Sequence, residues 1–295
     1  MKIIFYLGKG GVGKSSLSIL SALAAAKQAS RVALISLDRA HNLFDILQRK
    51  PSRLSASLTV VEADIDRFIR AYLQNTEAQL RHSYQYLSAL NLEKHFKVLR
   101  LAPGMEEYGL LLAFRHYYQK FKKYDYLIFD MPPTAVALKF FGLPSVSLVW
   151  LEQLLRLREE ILQKKEIISS VKFGHSVIET DKIKKNLLEQ KSEYDNLLSL
   201  FRDKERCLLN VVSTPDSVAL AESERIGAFL SELQIPVHKL VINKSPQRNE
   251  IVRNTERFAQ NEICFLPEAH KPLIGMENLQ DYLRESESWL KLLVT

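Results

Sequence analysis

The chain has 295 residues, 46% of them hydrophobic and 25% charged, with a formal net charge of +7. That balance excludes a disordered or fibrous chain and provides the apolar material for one large α/β domain or two smaller ones. The mild positive charge favours anionic partners, but no long Lys/Arg block is present, so nucleic acid is not expected as a partner. The two cysteines, Cys207 and Cys264, lie far apart in apolar runs. They read as buried thiols, and without a C-x-x-C pair no disulfide framework and no zinc are expected. The N-terminal apolar run is short and no stretch of about 18 apolar residues is expected to span a membrane, so the chain reads as cytoplasmic.

Ile3 to Leu7 is an apolar run that leads into Gly8-Lys9-Gly10-Gly11-Val12-Gly13-Lys14-Ser15-Ser16, and Leu17 to Lys27 is helix-like. Strand, glycine loop and helix form the setting of a phosphate-binding loop, and Gly8, Gly13, Lys14 and Ser15 meet G-x-x-x-x-G-K-[ST]. In such a loop successive backbone N–H groups curl around a phosphate, and the helix N-terminus adds a favourable dipole. Lys14 is the residue for the β- and γ-phosphates and the Ser15 hydroxyl the one for Mg²⁺.

Arg31 to Leu37 reads as a buried parallel strand ending in Asp38-Arg39-Ala40-His41-Asn42-Leu43-Phe44-Asp45. Doubly wound folds place ligand-handling groups in such a loop. Asp38 and Asp45 suit Mg²⁺ and an attacking water there; a helix cap followed by a surface acid fits the spacing equally well. Leu58 to Glu62 is a short strand, Asp66 to Leu92 a helix, and Lys97 to Leu101 another strand. Tyr124 to Phe129 is an apolar strand closed by Asp130, and a carboxylate there, beside a phosphate loop, holds Mg²⁺, often through water. Residues 147–203 form a leucine- and lysine-rich helical region with balanced charge, broken near Val171-Lys172-Phe173-Gly174. Cys207 to Val212, Val237 to Ile242 and Ile263 to Leu266 are further strands, and Glu277 to Leu293 is a closing amphipathic helix. Asp216 reads by itself as a helix cap or first-turn acid. Asn243 is an amide for an adenine edge or a turn residue. The pattern predicts an α/β fold, a mostly parallel sheet flanked by helices, as one P-loop domain over residues 1–295. Its helical parts at about 66–93 and 147–203 are expected to form an α-helical subdomain.

The run from Lys9 to Ser16 is similar to the deviant Walker A motif of the ATPases that include the arsenite-pump ATPase and the tail-anchored protein targeting factor. Asp38 to Asp45 resembles that branch's switch I, D-P-A-H-S/N-L-x-D, and Asp130-Met131-Pro132-Pro133-Thr134 to Pro144 resembles its switch II. Ala102-Pro103-Gly104-Met105-Glu106-Glu107 resembles a P-G-M-E-E segment of bacterial relatives. Ser213 to Arg225, Asn243-Lys244 and Pro267-Glu268 resemble its later nucleotide segments. These motifs follow one another over nearly the whole chain. The resemblance implies ATP hydrolysis with Mg²⁺ in a homodimer bridged by nucleotide, with Lys9 reaching the partner's nucleotide; the alternative for Lys9 is a solvated loop lysine. It implies catalytic roles for Asp45, which orients water, and for Lys9 and Lys14. It implies nucleotide contacts from Gly8, Lys9, Gly10, Gly11, Val12, Gly13, Lys14, Ser15, Ser16, Asp216, Asn243, Pro267 and Glu268. Ser15, Asp38 and Asp130 would hold the metal, partly through water. Two departures stand out: Arg39 replaces proline in switch I, and Ala135-Val136 replaces Gly-His in switch II. The helical insertion contains neither methionine nor cysteine, so the cargo stays open among an anion, an apolar membrane-protein helix, and none.

Overall fold

The computed structural model describes residues 1–28, 30–40, 42–48, 57–83, 96, 98–173, 181–245, 258 and 262–286. The described strands are β1 (Lys2–Leu7), β2 (Val32–Ser36), β3 (Leu58–Glu62), β4 (Tyr126–Asp130), β5 (Cys207–Ser213), β6 (Lys239–Ile242) and β7 (Glu262–Phe265). They form one sheet in the order β3-β2-β4-β1-β5-β6-β7, and every neighbouring pair is parallel. Parallel pairing needs crossover connections, which the helices supply, and helices on both faces leave the strands no wet side. That is why the strands are largely apolar, with polar residues mainly at their ends.

Side chains alternate between the two faces. Ile3, Phe5, Leu7, Phe129 and Leu209 face one layer, and Ile4, Tyr6, Ile128 and Leu208 face the other. The first layer is covered by α3 (Ile65–Ser83), α4 (Met105–Lys120), α5 (Thr134–Phe173), α6 (Lys182–Arg202) and α7 (Ser217–Glu232). Phe5, Phe114, Phe129, Phe140, Phe141 and Phe201 meet there, with Phe5 stacked on Phe129 at 5.2 Å and edge-on to Phe141 at 5.1 Å. The second layer is covered by α1 (Lys14–Lys27), α2 (Leu43–Leu47) and α8 (Met276–Glu285).

The structure moves several expected boundaries. Residues 98–101 are not a strand: the Arg100 N–H donates to Phe96 O at 3.3 Å and the Leu101 N–H to Val98 O at 2.9 Å, the pattern of helical turns. Five residues with three apolar side chains fit either period, and with no strand beside them among the described residues the local bonds decide. Lys97 itself lies outside the described residues, as do His41, Gly174, the expected helix beyond Ser83 and the end of the closing helix. The long helical region starts at Thr134 rather than 147 and carries Pro144 inside a helix of 40 residues, about 60 Å at 1.5 Å per residue. Over Thr134–Ile167 this helix is also long and apolar enough, by length and composition, to cross a membrane. Its most apolar window has a mean hydropathy of 1.5 and is 39% buried, against the expectation that no such stretch exists. Part of that window is core, because Phe140 and Phe141 pack under the sheet. α6 runs back antiparallel along α5, with Arg158 gripping Asp181 in two bonds of 2.8 and 3.0 Å. Glu159 meets Lys184 at 3.0 Å and Glu152 meets Lys191 at 3.4 Å.

Candidate nucleotide-binding site

β1 lies between β4 and β5, where the strand order reverses direction, and the crevice beyond the carboxyl ends of such strands is where doubly wound sheets bind ligands. The loop after Leu7 fills it. Gly8 has φ 150°, and a Cβ there would collide with the Val212 carbonyl oxygen, so the chain passes β5 only as glycine. Gly13 has φ 99° and sits against the Asn243 amide. Asn243 is buried, and its Nδ2 donates to Val12 O at 2.8 Å, which pins the loop from the side of β6. Gly13 O accepts the Leu17 N–H at 3.0 Å and starts α1. No side chain caps α1 and no acid stands in its first turn. Its leading N–H groups and positive dipole end are therefore available to an anion.

Lys14 is buried, and its Nζ donates to Lys9 O at 3.1 Å. Burial lowers its pKa, opposed by the charges of Asp130 and Asp38. Ser15 Oγ donates to Asp130 Oδ2 at 2.7 Å. Asp130 is 1% exposed, and its other oxygen, Oδ1, has no hydrogen-bond partner among the described residues. Burial pushes the Asp130 carboxyl up to about 7. The Ser15 bond and Lys14 pull it down less than burial raises it, and Asp38 adds to the rise. An oxygen ligand with an unused acceptor, beside a hydroxyl and a phosphate loop, suits Mg²⁺, which takes one or two protein oxygens and leaves the rest of its octahedron to water and phosphate. Thr134 Oγ1, at the head of α5, is likewise buried without a partner. Sequence reasoning passed over it, although Asp130-Met131-Pro132-Pro133-Thr134 places it just downstream of the metal carboxylate.

Asp38 is half-buried at the end of β2, its Oδ1 accepting the Ala40 N–H at 3.1 Å. Asp45 is exposed in the first turn of α2 and makes no side-chain hydrogen bond or ion pair among the described residues. Asp216 caps α7, accepting from Val218 N–H at 3.4 Å and Ala219 N–H at 3.0 Å, and lies 3.9 Å from Lys9 Nζ. Gly10 and Gly11 at the loop tip have no neighbour within 4 Å of a built Cβ, so this rim is open, and Ser16 follows in the first turn of α1. Pro267 and Glu268 are exposed beyond β7, with Pro267 O accepting the Tyr282 hydroxyl at 2.8 Å.

The model of the family described as anion-transporting ATPase matches residues 1–280. The chain belongs to the anion-transporting ATPase family. It is a P-loop ATPase. It is 26% identical over 301 residues to a putative arsenical pump-driving ATPase 2 of Aquifex aeolicus, covering 96% of this chain and 98% of that one. It is 25% identical to the ATPase GET3C of Arabidopsis thaliana over 96% of this chain and 78% of that protein. It is 26% identical to an ATPase ASNA1 homolog of Cryptosporidium parvum over 83% of this chain and 65% of that protein. Within this ATPase, Ala135 and Val136 lie in the first turn of α5, where the Val136 and Ala137 N–H groups donate to Pro133 O at 3.1 and 3.2 Å. Helical geometry suits alanine better than glycine by about 1 kcal/mol, which gives the Gly-His replacement a local reason.

Proposed function

We propose that this ATPase hydrolyses ATP with Mg²⁺ as a homodimer bridged by nucleotide and uses the cycle to energise transport or delivery of a cargo. The observation that carries the reading is the buried Asp130, bonded to Ser15 on one oxygen and without a partner among the described residues on the other, at the mouth of a phosphate loop. Magnesium bound there would neutralise charge on the transferring phosphoryl group. The loop N–H groups and Lys14 hold the phosphates, and Lys14 withdraws from Lys9 O to do so. Ser15 and Asp130 supply oxygens to the metal, with Asp38 supporting them from the neighbouring strand end. Asp45, in the first turn of α2, orients the attacking water. Lys9 reaches the partner's nucleotide across the open loop rim. Asp216, Asn243, Pro267 and Glu268 border the nucleoside side, where one of the two amide N–H groups of Asn243 is already held by Val12 O.

The cargo has two readings. A relative named as an arsenical pump-driving ATPase supports an anion, and the protein would then work in the cytoplasm, peripheral to the membrane through a partner. Val146, Val149, Trp150, Leu154, Leu157 and Ile161 of α5 are all exposed and recur at helical spacing. That stripe supports delivery of an apolar helix of a membrane protein. Steady-state ATP hydrolysis with and without arsenite, beside Asp45→Asn, tests the proposal. Turnover that needs Asp45 and rises with arsenite supports the pump. Turnover that needs Asp45 but ignores arsenite moves weight to the apolar helix. ATP binding without turnover leaves a nucleotide-switched scaffold.

A further inference from the structure

Two consecutive glutamates open α4, and each is tied to a different edge of the nucleotide site. Glu106 Oε1 lies 3.4 Å from Arg39 Nε, while the same guanidinium reaches Asp66 Oδ1 on α3 at 3.2 Å. Arg39 directly follows Asp38. Glu107 Oε1 lies 3.0 Å from Lys139 Nζ, in the second turn of α5 after Asp130 and Thr134. Successive residues of a helix point about 100° apart, so one turn of α4 faces both segments. Those segments leave adjacent strand ends, since Ser36 of β2 pairs with Asp130 of β4.

The helix that carries the pair is firmly seated. A Cβ on Gly109 would come within 2.7 Å of Ile69 Cγ1 and 2.9 Å of Ile65 Cγ2, so α4 and α3 touch backbone to side chain. Glu107 is 7% exposed. Burial pushes its carboxyl up, but its own backbone N–H at the helix N-terminus and Lys139 outweigh that and hold it ionised. The Lys139 side chain is itself mostly exposed, but its Nζ ends on a carboxylate that the packing of α4 holds in one place.

We propose that Glu106 and Glu107 are positioning residues for ATP hydrolysis: they tie the loop bearing Asp38 and the head of α5 to one rigid helix, so that the two segments move as a unit. The proposal rests on the ATPase reading above. Its test is kcat and KM for ATP, together with backbone hydrogen exchange over residues 37–48 and 130–142, in Glu106→Gln, Glu107→Gln, their double variant, Lys139→Gln and Lys139→Arg. Each Gln variant is expected to lower kcat about 5- to 20-fold with KM within about twofold, and the double variant to be no worse than the poorer single. Lys139→Arg is expected to keep at least about half of wild-type kcat, because it restores the cation. Exchange is expected to quicken in both segments when either glutamate is changed. Exchange confined to the segment each glutamate touches, a change in KM alone, or fully additive losses would overturn the proposal. Glu106 is half-exposed, so its variant reads the question even if Glu107→Gln folds poorly. If wild-type protein binds ATP but does not turn it over, the ATPase reading fails by itself, and the exchange pattern still decides whether the two segments are coupled.

Discussion

Ser15 Oγ donates to Asp130 Oδ2 over 2.7 Å, joining the first turn of α1 to the last residue of β4 across 115 positions of sequence. The bond gives a buried carboxylate one partner and leaves its other oxygen without one among the described residues. Ser15→Ala removes the only hydrogen bond to Asp130 among the described side chains. Losing a partner of a buried polar group costs about 1–3 kcal/mol, so the nucleotide-free thermal midpoint is expected to fall. Magnesium-dependent ATP turnover is expected to fall about 10²-fold or more. A magnesium titration of turnover beside a melting curve checks both parts, and wild-type turnover in Ser15→Ala would remove Ser15 from the metal's ligands.

Asn243 belongs to the loop before it belongs to the nucleotide. Its Nδ2 holds Val12 O, and its side chain lies where a Gly13 Cβ would go. Asn243→Ala is expected to weaken ATP binding about 5- to 30-fold through a loosened loop. Gly13→Ala is expected to abolish binding, since it combines the collision with a left-handed φ. In Gly13→Ala/Asn243→Ala the collision is gone but the φ strain is not, so binding is expected to stay absent. Isothermal titration with ATP distinguishes these three outcomes, and recovery in the double variant would show that collision alone mattered.

His238 makes the protein sensitive to acid away from the site. Burial, then Lys239 and Lys2, lower its pKa to about 4 from 6.5, with Glu262 opposing, and Nε2 is buried without a partner among the described residues. Between pH 6.5 and about 4 the unfolded chain binds the proton that the native imidazole refuses, so stability from this group is lost as pH falls through that window. His238→Gln removes the titration. The thermal midpoint of wild type relative to this variant is expected to be lower at pH 5 than at pH 7.5, and an equal difference at both values would refute the assignment.

The α5 stripe predicts a separation of binding from stability. Trp150 is 66% exposed, and substitutions at such positions change stability by less than about 0.5 kcal/mol. Val149→Ser/Trp150→Ser/Leu157→Ser is expected to keep basal ATP turnover and melt within about 3 °C of wild type. It is expected to lose affinity for an apolar helical peptide, measured by fluorescence anisotropy. Unchanged affinity would remove the stripe from cargo binding.

The sequence by itself determined the β1–loop–α1 unit. Its signals are local: an apolar run, glycines where backbone must pass close to β5 and β6, and Lys14-Ser15 opening a helix. It also determined that Asp130 closes an apolar strand, because a carboxylate can follow a buried run only at its end. Tertiary structure decided what lies beyond local pattern. The helical region reads as starting at 147, yet α5 begins at Thr134, where Phe140 and Phe141 pack under the sheet. Val98, Leu99 and Leu101 read as part of a strand, but a strand needs a neighbour and none pairs with them among the described residues. The pairing of Ser15 with Asp130, of Asn243 with Val12, and of Glu106 and Glu107 with Arg39 and Lys139 joins residues brought together only by the order in which the parallel strands assemble. A periodicity reports which face of an element is apolar; which distant side chain meets that face is set by packing, and packing is a property of the whole fold.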